Sequence, residues 1–192
     1  MDVRLKTEAT LDLLRVLNPD TVIIATGSVP IGHDIPGMNA MNYITAVDLI
    51  RKNAEIKDKD TVVVGGGTVG VETVLYLAEK GKKVRLFEMF STLAADMELR
   101  NQRDLIQKLK ASPNVAIQTE AMLTGATNNS LVFRELRYRD REFSLSPDLT
   151  VLSLGAKSEN LLVTKLKDEF PEIHLIGDAK KPRKIIDAIY EG

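Results

Sequence analysis

Val62-Val63-Val64-Gly65-Gly66-Gly67-Thr68-Val69-Gly70-Val71-Glu72 is the stretch whose reading decides the fold. A short β-branched run leads directly into a G-x-G-x-x-G turn, and a helical apolar period runs from Thr68 to Lys80. In such a strand–glycine–helix unit, Gly65 allows the tight turn, Gly67 leaves space for a pyrophosphate beside the backbone, and Gly70 lets helix and strand pack closely. With Gly66, Thr68 and Val69 these residues form a candidate anion cradle at the positive end of a helix. The next strand ends in Leu86-Phe87-Glu88, eighteen residues beyond Gly70. A carboxylate at that point is suited to accept from both hydroxyls of an adenosine ribose. The alternative is a plain glycine loop followed by a solvated strand end. The complete order of strand, glycines, helix, strand and acid favours binding of an adenine dinucleotide or ADP.

Outward from this unit, apolar runs alternate with helical patterns, as in an α/β protein built on a parallel sheet. Strands are expected at 21–25, 61–64, 83–87, 114–119, 150–154 and 173–176, and helices at 46–52, 68–80, 97–110 and from Pro182 to the end. Between Gln118 and Pro147 shorter alternating segments, with an Asn128-Asn129 turn, predict an antiparallel meander over one face of the sheet. Pro19–Ser28 aligns without gaps on Pro147–Ala156. This internal repeat suggests two related nucleotide-binding halves, the first without its front end. The expected architecture is a Rossmann-like three-layer α/β domain at 56–159, with residues 1–55 and 160–192 as the remnant of a second dinucleotide-binding domain. The periodic segment still running at Gly192 points to a piece of a larger protein.

Composition limits the partners. The 192 residues are 44% apolar and 28% charged, and 26 basic against 27 acidic side chains leave a net charge of -1. That balance provides no general attraction to nucleic acid or an anionic membrane surface. The absence of cysteine excludes disulfides, thiolate metal sites, iron–sulfur ligation and a redox C-x-x-C pair within these residues. With no apolar run of spanning length, a cytoplasmic location is the default expectation. No G-x-S-x-G, P-loop, H-E-x-x-H or EF-hand pattern occurs. His33 and His174 have no partners at metal-ligand spacing and read as structural, so neither a metal site nor a catalytic residue is expected.

Glu88 would repel a 2′-phosphate, and residues 89–99 contain no Lys or Arg to neutralise one, so NAD(H) is favoured over NADP(H). Lys82, Lys83 and Arg85 lie close in sequence but read as an ordinary solvated turn and strand. Thr26-Gly27, Gly155 and Gly177-Asp178 each follow an apolar strand, where ligands collect in open α/β sheets. Each could equally be a turn with no ligand.

Read in order, Val22–Pro30, the glycine loop, Val151–Gly155 and Ile176-Gly177-Asp178 resemble the flavoproteins with two dinucleotide-binding domains. The ending Gly177-Asp178-Ala179-Lys180-Lys181-Pro182-Arg183 through Gly192 resembles the C-terminal half of the NADH:flavin oxidoreductases, the dienoyl-CoA reductase, trimethylamine dehydrogenase and enoate reductase group. The resemblance covers essentially all 192 residues. It implies an oxidoreductase whose N-terminal old-yellow-enzyme barrel, outside this sequence, holds FMN and a 4Fe-4S cluster. It further implies that Gly65–Gly70 and Glu88 line an NAD(H) or ADP site, with Gly155 at its nicotinamide end. Gly177 and Asp178 would then meet FAD, and Thr26 and Gly27 would lie at the domain junction. The implied function is hydride transfer from NAD(P)H to FAD for reduction of an unsaturated substrate in the FMN domain, with the piece alone inactive. Two alternatives stand beside it: a structural ADP-binding module, as in the trimethylamine dehydrogenase branch, and an unrelated Rossmann protein.

Overall fold

The computed structural model describes residues 1–32, 35–52, 56–57, 60–137 and 141–192. His33 lies outside the described residues. In chain order the elements are α1 (Leu11–Leu17), β1 (Val22–Ile24), β2 (Ser28–Pro30), β3 (Tyr43–Thr45), α2 (Ala46–Arg51), β4 (Asp60–Val64), α3 (Thr68–Glu79), β5 (Lys83–Phe87) and α4 (Leu99–Ala111). There follow β6 (Val115–Gln118), β7 (Ala121–Thr127), β8 (Ser130–Glu135), β9 (Arg141–Leu145), β10 (Leu149–Leu152), β11 (Ala156–Ser158), α5 (Leu161–Leu166), β12 (Ile173–Leu175) and α6 (Ile185–Glu191). Two compact units result: Pro30–Gly155, and Met1–Val29 together with Ala156–Gly192.

The 30–155 unit is a three-layer α/β domain of the Rossmann type. Its sheet runs β3-β10-β4-β5-β6, and every pairing is parallel. Continuous Val62-Val63-Val64 makes sense in a strand covered on both faces. Val63 joins Val71, Val74, Leu77 and Leu109 in the core beneath the helices, while Val62 and Val64 pack with Phe87, Leu131, Phe133 and Leu152 on the other side. That second layer is the predicted meander, β7-β8-β9, antiparallel throughout. Its first turn has Asn128 and Asn129 both at positive φ (49° and 61°), the backbone that matches the twist of a two-residue hairpin. Phe133 fixes it to the sheet, stacking on Phe87 at 4.4 Å and on Phe143 at 5.4 Å between ring centroids. Truncating such a fully buried ring costs about 3–5 kcal/mol.

Residues 35–52 belong to this unit, which sets its limits apart from the expected 56–159. The reason is a strand too short to read from sequence: β3 pairs with β10 in register Tyr43↔Thr150, and Ala46 and Leu49 of α2 enter the main core. Residues 156–159 fall on the other side of the division, through β11.

In the second unit β1 and β12 pair in parallel, Val22↔Ile173 through Ile24↔Leu175. Val22, Ile24 and Leu166 form its small core, with Leu11 and Leu14 of α1 packed against them. Thr10 starts α1 by accepting a bond from Leu13 N, and Arg15 grips Glu169 with two bonds of 2.7 and 3.1 Å. Both side chains are substantially exposed, so screening by water leaves that pair a minor contribution to stability. Among the described residues, no helix is long and apolar enough to cross a membrane.

Candidate functional site

The glycine loop joins β4 to α3, as its sequence predicts, and three of its glycines meet separate steric demands. Gly65 has φ +101°, and a Cβ there would run into Ser153 O, so only glycine suits the turn. A Cβ on Gly70 would run into Gly65 O, which sets how closely α3 approaches β4. Around Gly67 the space is open: the nearest atom to an added Cβ is Asp96 Oδ1 at 3.7 Å. Thr68 and Val69 open the helix, whose first four N–H groups have no intrahelical acceptors. The loop therefore presents amides beside free space, the condition for a phosphate to approach.

Beside the loop is a cavity of about 570 Å³, inside the range of small-molecule sites. Gly65, Gly66, Gly67 and Gly155 border it, with Phe87, Met89, Phe90, Met122 and Leu123 giving an apolar wall. Glu88 and Asp96 are the charged residues on its described lining, and none of that lining is basic. Gly155 is exposed at φ +84°, with nothing within 4 Å of an added Cβ. The predicted residues Gly65–Gly67, Glu88 and Gly155 thus converge on one cleft. The open backbone, apolar wall and carboxylate fit the adenosine diphosphate part of a dinucleotide.

Glu88 is buried, with 7% of its surface exposed. Its Oε2 accepts from Gly66 N at 2.5 Å and its Oε1 from Phe90 N at 2.7 Å. The carboxylate ties the glycine loop to the turn after β5, a role that strand-end spacing does not reveal. Each oxygen retains a second lone pair for a ligand hydroxyl. Gly66 is enclosed by the same contact: a Cβ would lie 2.5 Å from Leu93 Cδ2 and 2.9 Å from Glu88 Cβ. Asp96, absent from the sequence candidates, accepts at Oδ1 from both Thr68 N and Thr68 Oγ1, each at 2.9 Å. Nothing in the spacing of Ser91–Asp96 marks it, because it caps a helix that starts 28 residues earlier.

The remaining candidates lie in the second unit. Thr26 Oγ1 donates to Glu159 O, and Gly27 O accepts from Glu159 N. Asp178 accepts from Ser28 Oγ at 3.1 Å and from Arg183 N at 3.3 Å, again leaving lone pairs for a ligand hydroxyl. Gly177 N donates at 2.8 Å to Glu191, another residue missed from sequence. Bonds from Arg183 and then Lys180, with the Gly177 amide adding to them, lower the Glu191 carboxyl from 4.5 to about 2. His174, expected to be structural, is exposed and bonded to Glu172 at 2.7 Å. That contact draws the Glu172 carboxyl down, followed by the bond from Thr21. Among the described residues no cluster of His, Asp or Glu could hold a metal ion.

Comparison with known proteins gives a consistent set of likenesses. The family model described as pyridine nucleotide-disulphide oxidoreductase matches residues 3–192. An NADH oxidase from Thermoanaerobacter brockii is 33% identical over the whole chain, which corresponds to 30% of that protein. A cinnamate reductase from Clostridium sporogenes is 28% identical over 99% of the chain and 28% of its own length. The solved 2-naphthoyl-CoA reductase in complex with 2-naphthoyl-CoA superposes with a TM-score of 0.78 at 26% identity, covering 98% of the chain and 28% of that structure. The chain therefore spans under a third of the length of each of these three proteins.

Proposed function

Because the chain belongs to the pyridine nucleotide-disulphide oxidoreductase family, we propose that it is the electron-input part of a flavin-dependent reductase. Its 30–155 unit would bind NAD(H), and its other unit would contact FAD. The observation that carries this reading is the cleft bordered by Gly65–Gly67, with open space over Gly67 and the buried Glu88 at its side. In the proposed complex the diphosphate lies at the first turn of α3, near Thr68 and Val69, and the free lone pairs of Glu88 receive the ribose hydroxyls. Met89, Phe90, Met122 and Leu123 supply the apolar surroundings of the adenine. The open backbone at Gly155 is proposed for the nicotinamide end. Thr26, Gly27, Gly177 and Asp178 are proposed for FAD, with Asp178 accepting from a ligand hydroxyl.

The redox chemistry would be that of the bound groups: the nicotinamide supplies hydride, FAD accepts it, and an FMN-bearing barrel with a 4Fe-4S cluster elsewhere in the longer protein reduces an unsaturated substrate. The chain's own part is to bind, orient and shield.

Preference for NAD(H) over NADP(H) follows from where charge stands. Lys82 and Lys83 precede or begin β5, and Glu88 follows its far end, so about 16 Å of strand separates Lys83 from Glu88. Arg85 is committed to Asp60 by a 2.5 Å ion pair. A 2′-phosphate would meet the Glu88 carboxylate with no basic side chain on the described lining. Titration of the chain with NADH, NADPH and ADP tests this. NADH and ADP should bind, and NADPH should bind at least about tenfold more weakly, as one uncompensated charge contact predicts. ADP binding with no NADH binding would reduce the unit to a structural nucleotide module, and no adenine nucleotide binding at all would refute the assignment.

A further inference from the structure

These 192 residues include six methionines and no cysteine, so their oxidisable sulfur is all thioether. Packing sorts the six. Met38 and Met41 are buried in the core between sheet and meander, and Met97 packs against the main core. Met122 is half-buried in β7, and Met1 is the first residue. Met89 is the one internal methionine that is exposed, with 41% of its surface open, and it borders the cleft.

The backbone around Met89 is held on both sides. Glu88, just before it, is buried and accepts from Gly66 N. Phe90, just after it, donates its amide to Glu88 Oε1 at 2.7 Å, and its carbonyl accepts from Glu120 N at 3.2 Å. The thioether therefore stands beside the cleft on a pinned turn, within reach of a small solute oxidant.

We infer that Met89 is an oxidation site that controls nucleotide binding, with hydrogen peroxide as the oxidant. The inference rests on the nucleotide reading of the cleft, in which Met89 belongs to the apolar surroundings of the adenine, and adds a control to it. A sulfur lone pair attacks one oxygen of the peroxide and the O–O bond breaks. The proton on the transferred oxygen leaves with the departing hydroxide as water, and sulfur, oxidised by two electrons, becomes a sulfoxide. A dithiol reductant reverses the step, taking the oxygen away as water and becoming a disulfide. The sulfoxide is polar where the thioether was apolar, and no basic side chain on the described lining meets its oxygen. Turned toward the base, that oxygen must shed water; turned away, it leaves the base short of one apolar contact. Either way the affinity falls while the glycine loop and Glu88 stay unchanged.

The test is ADP binding by the wild-type chain and by Met89→Leu, each before and after hydrogen peroxide, with the oxidised residues located by peptide mass spectrometry. In wild type, Met89 should be the first internal methionine oxidised, and saturating ADP should slow its oxidation. Oxidation should weaken ADP binding about tenfold, the effect of burying one poorly partnered polar group. The two methionine sulfoxide reductases with dithiothreitol should restore it. Met89→Leu should bind ADP equally before and after treatment. Preferential oxidation at another internal methionine would overturn the site. Oxidation at Met89 with unchanged ADP affinity, or an equal loss in Met89→Leu, would overturn the control while the nucleotide site stands. If Met89→Leu does not fold, wild type alone decides: no protection by ADP, or no recovery after reduction, refutes the inference. If untreated wild type binds no ADP, the cleft assignment itself fails and the control falls with it.

Discussion

Replacing Glu88 by Gln separates the two roles open to that carboxylate. In the structure one oxygen accepts from Gly66 N and the other from Phe90 N, and the side chain is 7% exposed. Gln has nearly the same shape but one acceptor oxygen, so whichever way the amide turns, its NH2 meets a backbone N–H head-on. One charge-assisted bond becomes neutral, a loss of about 1 kcal/mol, and the other is replaced by a buried donor facing a donor, a further cost of about 1–3 kcal/mol. Glu88→Gln is expected to lower the unfolding free energy by about 2–4 kcal/mol. With a urea slope of about 2 kcal/mol per molar, the midpoint moves down by about 1–2 M. Urea unfolding followed by far-UV circular dichroism, in the absence of nucleotide, measures this directly. A shift below about 0.3 M would refute the anchoring role and leave Glu88 as a solvated ligand group that acts only when a ribose is present.

Further outcomes follow from the same geometry. Gly70→Ala places a methyl group against Gly65 O, so α3 must lift from β4; thermal unfolding should show a loss of about 1–3 kcal/mol, together with weaker ADP binding. The Thr150 hydroxyl is buried in the sheet without a hydrogen-bond partner, and Thr150→Val should stabilise the chain by about 1 kcal/mol in urea unfolding. Glu191 is held ionised down to about pH 2 by Arg183 and Lys180, against an ordinary 4.5. A lowered folded-state value means its contribution is complete above about pH 5 and is lost as pH falls through 2. The protection of the Gly177 amide, its exchange rate relative to an unstructured peptide at the same pH, should therefore fall between about pH 4.5 and 2 in wild type, and Glu191→Gln should remove that pH dependence.

Much of this protein is written locally. The strand, glycine turn and helix of residues 62–79, the strand at 83–87 and the Asn128-Asn129 hairpin follow from β-branched runs, helical period and residues that tolerate positive φ. These properties act within a few residues and read directly from sequence. Three-residue strands such as β2, β3 and β11 carry too few side chains to show a period, so the boundary near Pro30 and Gly155 emerges only when β3 finds β10. The family resemblance rests on the order of short motifs, and it holds across residues 3–192.

What tertiary structure alone decided is which donor each carboxylate meets. Glu88 is legible as an acid at a strand end, but its bond to Gly66 exists because β4 and β5 lie side by side with their ends level, Val64 opposite Phe87. Asp96 caps a helix that begins 28 residues before it, and Glu191 reaches back fourteen residues to Gly177. Such contacts depend on where packing brings separate segments together. The sequence of this chain determines that a glycine loop and an acid are present; the fold determines that two carboxylates reach that loop first.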